Sequence, residues 1–213
     1  MLDNAKVKAG YEKMLSAMEK SASAVQVYLG LKVPAATLGM TQPLFFVNTS
    51  YDHSESFNAC LTGDYDQCPF IISDHAQIDP GLAPQGKGTL NIMTMDSYAD
   101  WKNLSFEDYK RRKQEVVEKL VRRAEKYLPG LSGNIEVTEI ATPRTMETFG
   151  SSPEGAIYGF AQNVKQSGIM RLSQETRVRG LFLAGAWTRP GGGVHGCFIS
   201  GISAANLALR YIR

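Results

Sequence analysis

The chain lacks an apolar run long enough to cross a bilayer as a helix, which needs about 20 residues. Its most apolar stretch, residues 24–47, is interrupted by Lys32, Pro34, Gln42 and Pro43. The opening residues, Met-Leu-Asp-Asn-Ala-Lys, lack the basic start and apolar run of a secretory signal. We therefore expect a cytoplasmic protein without a transmembrane helix.

Cysteine is scarce, and neither sign of charge dominates the chain. Cys60, Cys68 and Cys197 lack the regular spacing of a disulfide framework, which fits a reducing compartment. His53 and His75 do not stand at the short intervals from Cys60 and Cys68 that zinc ligand pairs use, so we predict no metal site. A net charge of +2 on 213 residues gives no strong attraction to nucleic acid, and we predict no such partner.

A complete nucleotide-binding motif is also missing. Residues 1–150 contain no Gly-x-Gly-x-x-Gly. Residues 81–87 have the spacing of a phosphate loop, but Gly88 stands where that loop needs Ser or Thr, and a strand-like segment follows. Gly191–Gly196 does match Gly-x-Gly-x-x-Gly, yet the chain ends at Arg213, too soon for a second strand and a ribose-binding acid.

What the sequence does contain is a set of short strand patterns. They cover residues 25–30, 44–49, 70–73, 89–95 and 135–141. Strands at this spacing, with few long helical patterns between them, predict one mixed or antiparallel sheet. We therefore expect an α+β fold.

One long amphipathic helix is predicted over residues 104–128, with a capping box of Ser105 and Asp108 at its start. Its basic residues alternate with acidic ones, and the spacing predicts the ion pairs Glu115–Lys119 and Glu118–Arg122. We interpret this face as solvated. Attraction to anionic lipid headgroups is the alternative.

Residues 180–213 are the most informative part of the sequence. Residues 181–184 predict a buried strand, a glycine-rich turn follows, and a helix of small residues is predicted from 196 to 210. This arrangement directs backbone N–H groups and a positive helix end towards one place, where an anion or an electron-rich ring can bind.

Four stretches also have a familiar sequence. Residues 180–188 are Gly-Leu-Phe-Leu-Ala-Gly-Ala-Trp-Thr, and residues 190–196 are Pro-Gly-Gly-Gly-Val-His-Gly. Residues 79–86 are Asp-Pro-Gly-Leu-Ala-Pro-Gln-Gly, and residues 155–159 are Gly-Ala-Ile-Tyr-Gly. Together they resemble the phytoene desaturase, carotenoid isomerase and retinol saturase group of FAD-dependent oxidoreductases.

The resemblance runs from about residue 23 to the C-terminus and implies the C-terminal part of a longer FAD-dependent oxidoreductase. Such an enzyme would act on C–C and C=C bonds of a long apolar, carotenoid-like substrate, which suggests peripheral membrane contact. Residues 1–140 would form a substrate-binding domain, and residues 141–213 would complete an FAD-binding domain of the NAD(P)/FAD superfamily. The N-terminal FAD-binding half would then be a partner absent from this sequence, and the isolated chain would be inactive and bind FAD weakly.

The same resemblance implies a cofactor site at the glycine turn. Its residues are Gly185, Ala186, Trp187, Gly191, Gly192, Gly193, Val194, His195 and Gly196. The turn would face the flavin pyrimidine end, while Gly185 and Ala186 would approach the diphosphate and the ribityl chain. The glycines could instead serve only packing, Trp187 could fill the core, and His195 could simply cap the turn. No acid–base pair stands out, so we name no catalytic residue.

Two other functions stay open. A flavin amine-oxidase-like enzyme shares the layout of the C-terminal motif. A non-catalytic module that binds no FAD would also fit, since the pyrophosphate-binding turn is absent. A yellow colour on purification separates the enzymes from the module.

Overall fold

The computed structural model describes the backbone of residues 5–213 and the side chains from residue 7 onward. Two compact units are present. Residues 23–155 form the first, which we call the sheet unit; residues 156–213, with the described part of residues 1–22, form the second, which we call the glycine-turn unit. These limits differ from the predicted division after residue 140. The assignment of the two parts to substrate and to FAD stays a prediction.

A single antiparallel sheet organises the sheet unit. Its strands are β1 (Ser23–Leu31), β2 (Leu44–Val47), β3 (Phe70–Ser73), β4 (Gly88–Asp96) and β5 (Ile135–Ala141). Their order is β2-β3-β4-β1-β5. All five correspond to predicted strands, so the α+β fold with an antiparallel sheet is confirmed.

The helices are mostly short. They are α1 (Ala5–Ser16), α2 (His53–Leu61), α3 (Ala99–Lys102), α4 (Phe106–Ala124), α5 (Pro143–Gly150) and α6 (Val194–Tyr211). At the start of α4 the Ser105 side chain accepts a hydrogen bond from the Asp108 amide at 3.1 Å, which confirms the predicted cap. Among the described residues, no helix combines the length and apolar character needed to cross a membrane.

The core of the sheet unit follows from strand alternation. Successive residues of a strand point to opposite faces, so every second residue of β1 and β4 meets the same layer. That layer contains Val27, Leu31 and Ile92, which are fully buried together with Leu120 of α4. Each such side chain contributes about 1.5–3 kcal/mol relative to exposure. The predicted apolar stripe of α4 therefore covers the sheet.

A buried carboxylate lies at the end of β4. Asp96 is completely buried and accepts hydrogen bonds from the Tyr65 hydroxyl at 2.5 Å, the Trp101 Nε1 at 2.8 Å and the Ser97 amide at 2.7 Å. Burial raises the pKa of Asp96, although its hydrogen bonds act in the opposite direction. Three donors on one carboxylate make it a structural junction between β4, α3 and the loop after α2.

The opposite face of the sheet carries a row of apolar side chains. Phe46 of β2 is paired in register with Ile71 of β3, and Ile71 with Met93 of β4. Phe46 is 69% exposed, while Ile71 and Met93 are half-buried. The sheet therefore presents aromatic, aliphatic and thioether groups on the face away from α4.

The glycine-turn unit contains little regular structure besides α1 and α6. The predicted strand over residues 181–184 is wrong: Phe182 makes an isolated bridge to Glu175, and Leu181 is 38% exposed. The Leu183 amide donates to the carbonyl of Gln174 at 2.8 Å. A strand needs a continuous neighbour to pair with, and the described residues of this unit supply only these isolated contacts.

Candidate functional site

The candidate site lies where the glycine turn enters α6. Gly193 precedes the helix with φ +89°, and Gly191 has φ +131°, backbone angles that side-chain-bearing residues rarely adopt. The Cys197 amide donates to the carbonyl of Gly193 at 3.0 Å. Within the part of the chain that the structure describes, the amides of residues 191–196 donate to no acceptor. A long helix thus begins with a cluster of free N–H groups and the positive end of its dipole.

Four glycines of this region fall into two physical classes. A Cβ on Gly192 would lie 2.5 Å from the carbonyl oxygen of Tyr158, and one on Gly196 would lie 2.2 Å from that of Gly191. These two positions are glycine because the backbone packs too closely for a side chain. Gly185 (φ +104°) and Gly193 (φ +89°) also have positive φ, yet nothing lies within 4 Å of either added Cβ. Close packing therefore does not explain why these two positions are glycine.

A hydroxyl network holds the Gly185 segment to α6. Ser200 of α6 is fully buried and accepts a hydrogen bond from the Gly185 amide at 3.0 Å. Its hydroxyl also contacts the Thr188 Oγ1 at 2.6 Å, and Thr188 in turn donates to the Gly185 carbonyl at 3.0 Å. Gln174 donates from Nε2 to the same Ser200 hydroxyl at 3.2 Å. The network fixes residues 185–188 against the helix that the glycine turn begins.

The structure brings the predicted cofactor residues into one unit, although it does not test their role. Trp187 is half-buried, and its ring stacks edge-to-face on Phe160 at 4.8 Å between centroids. Val194 is 71% exposed, and His195 is exposed as well. Trp187 thus has a packing partner, whereas His195 and Val194 extend from the first turn of α6.

Sequence reasoning missed several residues that build this region. Ser200 and Gln174 hold the Gly185 segment, and Arg171 donates to carbonyls on both sides of Trp187. Ser200 lies one helical turn after Gly196, on a helix already recognised as part of the motif, so its position was a usable signal. Arg171 and Gln174 lie in an irregular segment with no repeating pattern that could have pointed to them.

A cavity lies elsewhere in the same unit. Its volume is about 1030 Å³, and its lining includes Tyr11 and Met14 of α1 together with Leu172, Arg177 and Leu183. None of the nine predicted cofactor residues lines it. It borders the segment whose predicted strand is not formed, so we interpret it as the space beside an unpaired backbone segment rather than as the candidate site.

The other motifs singled out from the sequence have structural roles. Within residues 7–213, no group of three or more His, Cys, Asp or Glu side chains could hold a metal. The Asp79 carboxylate accepts from the Gly81 amide at 3.0 Å, so the phosphate-loop-like segment begins with a capped turn and leads into β4. On α4, Lys119 and Arg122 contact Asp66 at 2.8 and 3.1 Å in place of the predicted pairs with Glu115 and Glu118.

Comparison with known proteins gives a consistent result. Residues 15–209 match the family described as flavin containing amine oxidoreductase. The chain is 34% identical over 131 residues to the chloroplastic prolycopene isomerase of Arabidopsis thaliana, covering 61% of this chain and 22% of that protein. It is 32% identical over 136 residues to the neurosporene-forming phytoene desaturase of Rhodobacter capsulatus, covering 61% and 25%.

A third relative matches over more of the chain. The 1-hydroxycarotenoid 3,4-desaturase of a Flavobacterium species is 29% identical over 200 residues, covering 92% of this chain and 39% of that enzyme. An oxidoreductase structure from Methanosarcina mazei superposes with a TM-score of 0.48 at 17% identity, covering 96% of this chain and 38% of that one. The chain therefore spans between about a fifth and two-fifths of the length of these proteins. The predicted resemblance to carotenoid desaturases and isomerases is confirmed.

Proposed function

Because the chain belongs to the family of flavin containing amine oxidoreductases, we propose that it forms the C-terminal part of an FAD-dependent oxidoreductase. The proposed substrate is a long apolar polyene, and the reaction is desaturation, saturation or isomerisation at its C–C and C=C bonds. The names of the relatives, which include a prolycopene isomerase and carotenoid desaturases, support this choice. An FAD-binding N-terminal half, which the longer relatives have room for, would be the partner of this part.

The observation that carries the proposal is the open space beside two glycines of the turn region. Gly185 and Gly193 combine positive φ with unfilled space, and the amides of residues 191–196 have no acceptor among the described residues. Glycine there lets a ligand approach the backbone closely. Free N–H groups at the start of an 18-residue helix suit the diphosphate or the electron-rich pyrimidine ring of a flavin. The residues present therefore fit the cofactor that the family implies.

Each part of the chain has a role in this proposal. Bound FAD would supply the redox chemistry by accepting or returning a hydride. The amides of the Gly191–Gly196 turn and the positive end of α6 would stabilise negative charge on the reduced ring. Gly185 and Ala186 would lie against the diphosphate and ribityl portion. Ser200 would keep the Gly185 segment in register with α6 through its hydrogen bond to the Gly185 amide.

The apolar face of the sheet would provide the substrate wall. The registered row of Phe46, Ile71 and Met93 presents a continuous apolar surface without a charged side chain in it. Such a surface suits a polyene, which offers almost no hydrogen-bonding groups and binds through buried apolar area. The proposed wall is a property of the sheet unit alone.

The test is the Gly193→Val variant, made in the longest polypeptide that the gene encodes. The valine side chain would occupy the open space, and its Cβ disfavours positive φ. We expect flavin binding to be lost while the sheet unit stays folded. Flavin absorbance per folded protein and the thermal midpoint are measured together.

Gly168→Val is the matched control. Gly168 lies in the same unit, has positive φ (+55°) and has nothing within 4 Å of an added Cβ, so it also carries a backbone penalty, outside the predicted site. We expect this variant to keep its flavin. Full flavin occupancy in a folded Gly193→Val protein would remove the glycine turn from the cofactor site.

A further inference from the structure

A buried arginine with no acidic partner among the described residues lies next to the proposed flavin turn. Arg171 is 1% exposed. Its Nε donates to the Thr188 carbonyl at 3.1 Å, and its Nη2 donates to the carbonyls of Tyr158 at 3.1 Å and Ala186 at 2.7 Å. Its Nη1 is buried and has no hydrogen-bond acceptor among the described residues.

This arrangement is costly for a residue that only fills space. Burying a charged group without a counter-ion is unfavourable, and burial lowers the pKa of Arg171. Three carbonyl oxygens offset part of that cost, since charge-assisted hydrogen bonds are stronger than neutral ones. The cation thus remains in the interior with a net positive charge that no described side chain neutralises.

Two of the carbonyls that Arg171 binds lie where the backbone is crowded. A Cβ on Gly192 would meet the Tyr158 carbonyl at 2.5 Å, and one on Gly159 would meet the Ala186 carbonyl at 2.8 Å. Arg171 therefore joins segments that pack against the glycine turn. The planar guanidinium group suits this task, because its N–H donors have fixed directions and therefore orient each carbonyl as well as position it.

The direction of the Ala186 carbonyl determines that of the next amide. In a planar trans peptide the C=O and N–H groups point in opposite directions. Since Arg171 holds the Ala186 carbonyl, the Trp187 amide points away from Arg171. The Thr188 amide donates to Gly185 and the Arg189 amide donates to Leu172, whereas the Trp187 amide has no acceptor among the described residues.

We propose that Arg171 is a positioning residue, which holds the Ala186–Trp187 peptide so that the Trp187 amide donates to a phosphate oxygen of bound FAD. The buried charge of Arg171 adds a favourable electrostatic interaction with that anion. The inference rests on the proposed flavin site. It adds a residue outside the glycine motif and names a single backbone donor that Arg171 controls.

Two variants in the longest polypeptide that the gene encodes separate the parts of this role. Arg171→Lys keeps the charge but loses the planar fork, and Arg171→Gln keeps an N–H donor but loses the charge. Arg177→Gln is the control, because Arg177 is an exposed arginine of the same unit. For each protein we measure the dissociation constant for FAD, the thermal midpoint without FAD, and hydrogen exchange of amides in a peptide that covers residues 185–189.

In the wild-type protein, we expect FAD to slow the exchange of the Trp187 amide. In both Arg171 variants, we expect that protection to be lost from the folded protein and the dissociation constant for FAD to rise about tenfold or more. Arg177→Gln should resemble the wild type. A merely structural arginine would lower the thermal midpoint without removing the FAD-dependent protection from molecules that remain folded.

The outcomes distinguish the two proposals. A wild-type protein that binds no FAD would overturn the flavin site and this inference with it. If the wild type binds FAD but the Trp187 amide gains no protection, the flavin site stands and the role of Arg171 falls, even where neither variant folds. Wild-type affinity and protection in a folded Arg171→Lys protein would overturn the inference in the same way.

Discussion

Asp96 of the sheet unit and Arg171 of the glycine-turn unit are both buried charged groups, and their surroundings differ. In the sheet unit, Asp96 is fully buried and accepts from three donors, two of them aromatic side chains. In the glycine-turn unit, Arg171 donates to three carbonyls but keeps an unpaired Nη1, and the Trp187 amide beside it has no acceptor among the described residues. The hydrogen bonds around Asp96 are completed within its own unit, whereas the surroundings of Arg171 leave N–H donors without a partner.

The apolar side chains show the same contrast. The sheet unit encloses a continuous core that includes Trp101, Leu128 and Leu131 at 0% exposure. In the glycine-turn unit, α6 exposes Val194, Phe198 and Ile202 by 71%, 70% and 63%. Burial of apolar area therefore accounts for the fold of the sheet unit. In the glycine-turn unit, hydrogen bonds of Arg171 and Ser200 join the irregular segments. The amides of residues 191–196, which have no acceptor among the described residues, are donors available to a ligand.

The largest effect that this comparison predicts is the loss of the Asp96 carboxylate. Asp96→Ala would leave the Tyr65 hydroxyl and the Trp101 Nε1 buried without an acceptor. We expect the free energy of unfolding of the sheet unit to fall by about 3–5 kcal/mol. Denaturant unfolding followed by circular dichroism measures the loss.

Two further variants check that the effect comes from the acceptor. Tyr65→Phe removes one donor and keeps the carboxylate, so its cost should be smaller, about 1–2 kcal/mol. Burial raises the pKa of Asp96 above its unfolded value. The stability of the wild type relative to Asp96→Asn should thus be greatest below about pH 4 and decline as the pH rises through the folded-state pKa. A difference that does not change with pH would contradict this account of Asp96.

Adjacent glycines offer a smaller and sharper test in the other unit. A Cβ on Gly192 would meet backbone atoms of Tyr158, whereas one on Gly193 would meet nothing within 4 Å. Gly192→Ala should therefore destabilise the unit by about 2–3 kcal/mol through overpacking. Gly193→Ala should cost less, about 1–2 kcal/mol, from its backbone conformation alone (φ +89°, ψ 157°). Thermal or denaturant unfolding of the two proteins measures the difference. Equal losses of stability would contradict the distinction between a glycine required by close packing and one required by its backbone conformation.

The sheet unit was largely predictable from the sequence, and the reason is burial. Strands such as β1 and β4 alternate because one face of each meets the core, and α4 carries an apolar stripe for the same reason. Helix α2 was missed, since only Ser56, Ala59 and Cys60 of it are buried and its apolar pattern is weak. Its N-cap Asp52, which accepts from the amides of Ser54 and Glu55, was the available signal.

In the glycine-turn unit, the glycine motif was predictable from the sequence, but the hydrogen bonds that hold it in place were not. The resemblance of residues 180–196 located the turn and α6, but an apolar run alone could not show that residues 181–184 would lack a neighbouring strand. The contacts of Arg171 and Ser200 join residues 12 to 17 positions apart in an irregular segment. Local periodicity carries no information about such contacts, so a single sequence could not reveal them.

The smallest predicted effect is at the surface of the sheet unit. Lys119 and Arg122 of α4 both contact Asp66, at 2.8 and 3.1 Å, and the carboxylate side chain is 47% exposed. The hydrogen bond from Lys119 and the two nearby cations lower the pKa of Asp66. Because solvent and salt screen an exposed pair, Asp66→Asn should cost no more than about 1 kcal/mol at neutral pH.

The pH dependence of this pair has the sign opposite to that of Asp96. A carboxylate whose pKa is lowered on folding stabilises the protein above its unfolded pKa, and that stability is lost as the pH falls through the folded value. The difference between wild type and Asp66→Asn should therefore vanish in acid, and it should also shrink in 1 M salt. Unfolding midpoints at several pH values and two salt concentrations measure both changes. A cost above 2 kcal/mol, or one that salt does not reduce, would show that the Asp66 cluster is part of the closed interior of the sheet unit rather than of its solvated face.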